Sequence, residues 1–239
     1  VDISTATAPT TGQVLTATSG TAAAWQTPSV SSALNATATL GTYQAANTSG
    51  DQIASTIVSG GKVIVVSVNT VQFYDLTTMT LSGTFTPPSG WTIQYQMQRL
   101  VADGTYVWVP MQSGSSPARI YRLNISDNGT TSSYYQTVSS NGSNMDITKD
   151  PSSNAIYYCY FSGSNFYVGA INGSTMTRVG SEVNPYSPSY SNYNSIVFLN
   201  GSIHILVYNV PTVWLTLTTS LTLSSTRTLT ASNGSPLPL

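Results

Sequence analysis

From about residue 52 onward, short runs of alternating apolar and polar residues recur between tight turns, and helical periodicity is nearly absent. Four segments share one plan: an apolar strand, a Gly or Asn turn, an aromatic or β-branched strand, a third strand, a Thr/Asn turn and a last strand. The first turns fall at Ser59-Gly60-Gly61, Asp103-Gly104, Ser153-Asn154 and Asn200-Gly201. The strands after them read Lys62-Val-Ile-Val-Val-Ser67, Thr105-Tyr-Val-Trp-Val-Pro110, Ala155-Ile-Tyr-Tyr-Cys-Tyr160 and Ser202-Ile-His-Ile-Leu-Val207. Third strands end at Leu76, Leu123, Ile171 and Leu217, spaced 47, 48 and 46 residues apart. A four-stranded unit of about 40 to 50 residues is the period of a propeller blade. The pattern therefore predicts an all-β chain: a small segment over 1–50, then a propeller-like domain of about four four-stranded repeats, near 52–93, 94–142, 143–190 and 191–239. A β-sandwich, which also carries short strands at regular spacing, is the alternative.

Residues 1–50 follow a different pattern. They are rich in Ala, Thr, Ser and Gly, with Trp25 and Tyr43 as the only aromatics. Gly12-Gln-Val-Leu-Thr-Ala17 and Ala24-Trp25-Gln26 read as two short strands around Ser19-Gly20. A lone hairpin cannot bury enough apolar surface to offset its ordering entropy, so this segment is expected to dock on the following domain or on copies of itself.

Composition narrows the function. Of 239 residues only 6% are charged, 7 Lys+Arg against 8 Asp+Glu, where an ordinary domain carries about a quarter. The cations are scattered, so counterion release from a nucleic acid is excluded as a role. The longest strongly apolar run, Val63 to Val68, is far short of the ~20 residues of a membrane helix. Disorder goes with few aromatics, yet 15 Tyr, 5 Phe and 4 Trp are present. What remains is a folded chain with a surface of Ser, Thr, Asn, Gln and Tyr, suited to an extracellular setting. The single cysteine, Cys159, excludes an internal disulfide framework. A start at Val without a signal peptide is expected of a piece processed from something longer.

The run Ala8-Pro-Thr-Thr-Gly-Gln-Val-Leu-Thr-Ala-Thr-Ser-Gly-Thr-Ala-Ala-Ala-Trp-Gln-Thr-Pro28 resembles a short module common in bacteriophage tail fibres and other virion fibres. In that family a Pro-x-x-Gly-Gln-Val-Leu strand is followed by a small-residue turn and a Trp-x-x-Pro ending. Here Gln13, Val14, Leu15 and Trp25 occupy the matching positions, and the charged residue that the family often places near the turn is missing. The resemblance implies an exposed virion appendage, a fibre, spike or receptor-binding protein, commonly a homotrimer. Its implied partners are other virion proteins and a host receptor or surface glycan. A secreted cellular adhesin or lectin is the second reading, and a glycan-degrading enzyme the third.

Candidate chemistry favours binding over catalysis. The only histidine, His204, sits mid-strand with no Gly-x-Ser-x-Gly motif to suggest a nucleophile. One His and one Cys cannot make a zinc site, and no cofactor or metal is expected. Asp103 and Asp127 fit turn chemistry, and only a convergence of Asp75 with Asp146 on the axis would create a cation or sugar site. Exposed aromatics are better candidates, since rings stack on sugar C–H faces and loops on rigid scaffolds concentrate binding residues. Three clusters stand out: Tyr186, Tyr190 and Tyr193 in the connection between the third and fourth repeats, Tyr134-Tyr135, and Trp91 after Pro87-Pro-Ser-Gly90.

Overall fold

The computed structural model describes residues 14–17, 23–26, 53–67, 69–93, 100–113, 116–139, 142–187, 194–208 and 212–230. The chain divides into two compact units, residues 1–44 and 45–239. In the first, β1 (Val14–Ala17) and β2 (Ala23–Gln26) form an antiparallel hairpin with Leu15 opposite Trp25. Trp25 is half-buried, and Gln13 lies outside the described residues.

The second unit is all-β and propeller-like, with four antiparallel sheets in chain order. Sheet one holds β3 (Ile53–Ser59), β4 (Lys62–Ser67), β5 (Val71–Asp75) and β6 (Leu81–Phe85) as consecutive neighbours. Sheet two pairs β9 (Tyr106–Ser113) with β10 (Ser116–Asn124) and β10 with β11 (Ser132–Gln136). Its first strand is split into β7 (Thr92–Ile93) and β8 (Val101–Ala102), both on β9. Sheet three runs β12 (Gly142–Lys149), β13 (Ala155–Ser162) and β14 (Asn165–Asn172). Its outer edge is shared by β15 (Thr177–Arg178) and β16 (Val183–Tyr186). Sheet four repeats the plan of the first with β17 (Asn194–Leu199), β18 (Ser202–Val207), β19 (Val213–Leu217) and β20 (Leu223–Thr228).

Because strand side chains alternate, each sheet has a backward face towards its predecessor and an onward face towards its successor. Ile64, Val66, Val71 and Phe73 point onward from sheet one and meet Val107, Val109, Met111 and Leu123 of sheet two. Trp108, Ala118 and Ile120 meet Ile147, Ile156, Tyr158 and Ile171 in the next joint. Tyr157, Cys159, Phe166 and Val168 meet Ile203, Ile205, Leu215 and Leu217 in the third. Three cores between four sheets, in place of one core between two, distinguish this arrangement from a sandwich. Among the described residues no buried cluster joins the fourth sheet to the first.

Register corrects one detail of the repeat. Lys62 pairs with Asp75, Tyr106 with Asn124 and Ala155 with Asn172. Leu123, Ile171 and Leu217 therefore correspond to Tyr74, not to Leu76, which lies past the strand in the turn. In that turn a side-chain acceptor bonds the backbone ahead: Asp75 takes the Thr77 and Thr78 N–H groups, and Asn172 those of Ser174 and Thr175. A residue with positive φ follows in all four sheets, namely Met79, Asn128, Met176 and Leu221.

Polar groups also cross the joints. In the third joint, β12 lends the buried Asp146 and Thr148 to the backbone of β17, accepting from the Ile196 and Phe198 N–H groups at 2.9 and 3.1 Å. Asn194 donates to the Asn144 carbonyl at 2.6 Å, and its Oδ1 accepts from the Cys159 thiol at 3.2 Å. Asp146 is thus a structural acceptor between sheets three and four. Asp75 caps a turn of sheet one, so the two carboxylates do not converge.

Candidate functional site

Three of the aromatic residues singled out from sequence, Trp91, Tyr134 and Tyr135, lie in or beside the second sheet, and strand alternation sets the two tyrosines on opposite faces. Tyr134 and Tyr135 are adjacent in β11, so they point to opposite sides. Tyr134 lies opposite Tyr121, and their rings stack at 5.2 Å. Gly90 at φ 82 completes a tight turn in which the Trp91 N–H donates to the Pro88 carbonyl. That turn brings Trp91 to the same side. Between the two rings lies Arg119, its guanidinium carbon 4.0 Å from the Trp91 ring centre and 4.1 Å from that of Tyr134. Its Nε donates to Gln136 Oε1 at 3.2 Å and its Nη1 to the Tyr121 hydroxyl at 3.4 Å. Both acceptors are neutral, so the cation is held by ring faces and dipoles. Tyr134 remains 48% exposed, which puts the stack at the rim of the first joint.

Tyr135 belongs to a different group in the second joint. Its hydroxyl lies 3.0 Å from that of Tyr158, which donates to Glu182 Oε1 at 2.8 Å. Tyr160 donates to Glu182 Oε2 at 2.7 Å, and the Val138 N–H donates to Oε1. Burial pushes the Tyr158 and Tyr160 phenols well above the usual tyrosine range, and the Glu182 charge adds to it. Tyr135 is raised for the same first reason. Tyr158 and Tyr160 therefore stay protonated as donors to one carboxylate, with the Tyr135 hydroxyl bonded to that of Tyr158. A ring of donors already satisfied by Glu182 is suited to locking sheets together rather than to transferring a proton.

Tyr186 is a strand residue despite Pro185: β16 pairs it with Phe166, and it packs half-buried on the third core. Tyr190 and Tyr193 lie outside the described residues. His204 accepts or donates across the sheet to Thr216 at 3.4 Å and tilts against the Trp214 ring at 5.7 Å. Cys159 is fully buried and its thiol is pushed up by that burial and by Asp146, so it is no nucleophile. Among the described residues no three His, Cys, Asp or Glu side chains converge to hold a metal ion. Sequence reasoning found Trp91 and Tyr134 but missed Arg119, the residue that joins them. Its only sequence signal was a cation in a strand otherwise built for burial, Ala118-Arg-Ile-Tyr121.

No family profile and no curated protein sequence matches the chain. Solved structures resemble its fold at low identity. A structure titled Dos1 propeller superposes with a TM-score of 0.56 at 16% identity, over 75% of this chain and 48% of that one. A protein of unknown function from Bacteroides caccae gives 0.51 at 16% identity, over 75% and 62%. A europium-containing methanol dehydrogenase gives 0.54 at 11% identity, over 77% and 44%. The chain thus covers from 44% to 62% of the length of these proteins, and the likeness is one of fold alone.

Proposed function

We propose that this protein is a non-enzymatic surface component of a virion, a fibre or spike that attaches through residues 1–50 to other virion proteins and binds a host receptor or surface glycan through its propeller-like domain. The observation that carries the binding role is the Trp91–Arg119–Tyr134 stack. The exposed part of the Tyr134 ring offers apolar surface to sugar C–H groups, and the guanidinium keeps N–H donors beyond its bonds to Gln136 and Tyr121. That combination suits a glycan bearing a carboxylate or another acidic group. Support for the virion setting comes from the Gly12-Gln-Val-Leu15 and Trp25 module and from the charge-poor, hydroxyl-rich surface.

The test is binding of the purified chain to an array of neutral and acidic glycans and to host envelope fragments. Wild type should retain an acidic glycan, and Tyr134→Ala and Arg119→Gln should each weaken retention at least tenfold with the melting temperature nearly unmoved. Retention unchanged in both variants would exclude the stack as the site. Release of free sugar from envelope fragments would replace binding by hydrolysis.

A further inference from the structure

The apolar positions of the central strands are buried alike in the four sheets except on two faces, the backward face of sheet one and the onward face of sheet four. On backward faces, Val107, Ile156 and Ile203 are sealed at 0% exposure, as are Leu123, Ile171 and Leu217. Their counterparts in sheet one, Val63 and Tyr74, are only half-buried. The contrast grows at the turn. Met176 and Leu221 are each 7% exposed, whereas Met79, in the same positive-φ position, is 59% exposed. Leu76 is 44% exposed where its counterpart Ile125 is 1%. Val58 and Leu81 on the same face are 58% and 49% exposed.

Sheet four has the complementary vacancy. Its onward face presents Val197, His204, Leu206 and Trp214, all half-buried. The residues aligned with Trp214 are Val71, Ile120 and Val168, and all three are at 0%. Leu199 on this face is 53% exposed.

We propose that these two faces mate between two copies of this chain, head to tail, so that the onward face of sheet four in each copy packs on the backward face of sheet one in the other. Two reasons single out a second copy. The same two kinds of face already mate three times within the chain, so each copy carries both halves of the missing joint. Among the described residues Val58, Val63, Tyr74, Met79 and Leu81 on one face are uncharged, with the Asp75 carboxylate capping the turn beside them, and on the other face only the exposed Arg227 is charged, so closure desolvates no ion pair. Such a contact is heterologous, and in the proposed arrangement it closes at two copies. A methionine held at positive φ is strained in any neighbourhood, and burial against the partner offsets that strain as burial of Met176 does within the chain.

Light scattering on the full chain tests this, with one variant for each face. Leu76→Glu combined with Met79→Glu charges sheet one, and Leu199→Glu charges sheet four. Each side chain is exposed in the single chain, so folding should survive, which a cooperative melt verifies; Leu81→Glu and Val197→Glu replace a variant that fails it. Wild type is expected at twice the chain mass and each variant at one chain mass. Mixing the two variants should restore the doubled mass, because one unaltered pair of faces remains. Wild type at one or three chain masses, variants that keep the doubled mass, or a mixture that stays at one chain mass would each overturn the proposal.

Discussion

Sheets one and three are built from the same pattern, yet one is sealed on both faces and the other on one. In sheet three, Tyr157 and Phe166 point onward into one core while Tyr158 and Ile171 point backward into another. In sheet one, Ile64 and Phe73 are fully buried, while Val65 and Tyr74 in the same strands remain half-buried. Alternation prepares both faces of a strand equally, and burial is then decided by whether a neighbour is present.

The largest expected effect tests that difference directly. Ile171→Ala should cost about 2–5 kcal/mol, since it opens a cavity in the second joint, whereas Tyr74→Ala should cost under about 1 kcal/mol in urea titrations at concentrations that separate copies. Equal losses would break the comparison.

Close approach gives a smaller contrast. Gly169 lies directly opposite Tyr158, and a Cβ there would collide with the phenol ring. Gly169→Ala should therefore destabilise by about 1–3 kcal/mol, while Gln72→Ala at the equivalent place in sheet one should stay within about 0.5 kcal/mol. Thermal melts of the two variants measure this.

At the turns the sign itself should change. Met79→Gly removes a positive-φ penalty and little burial, so the separated chain should gain up to about 1 kcal/mol. Met176→Gly loses a buried side chain as well and should come out destabilised by about 1–3 kcal/mol in denaturation curves. A gain in both would show that Met176 contributes no packing.

The finest contrast is one of charge. Asp75 caps the turn of sheet one where sheets two and three use Asn124 and Asn172. Backbone N–H groups of Thr78 and Thr77, with the Thr78 hydroxyl, hold the Asp75 carboxyl below its usual pKa. A depressed folded pKa means that the contribution is present above the unfolded value near 4 and fades as pH falls through the lower folded one. Amide NMR signals of Thr77 and Thr78 should shift in that acid window, and those of Ser174 and Thr175 should not.

Much of this was legible in the chain. Turn residues at Gly60-Gly61 and Asn200-Gly201 bounded real hairpins, and the four-stranded repeats emerged from spacing because hairpin chemistry is local. The repeat end in sheet one was misread at Leu76 because an apolar turn residue looks like one more strand position. Tyr134 and Tyr135 read as one cluster although alternation separates them. Arg119 escaped notice because its partners come from Trp91, 28 residues earlier, and Tyr134, 15 residues later.

By itself the sequence determined the strands, the hairpins and which side chains share a face, since these follow from φ preferences, turn chemistry and a period of two. Tertiary structure alone decided which apolar faces are sealed, which tyrosines surround Glu182 and which rings enclose Arg119. Those outcomes depend on how neighbouring sheets stack, and packing between residues distant in the chain leaves no local mark on it.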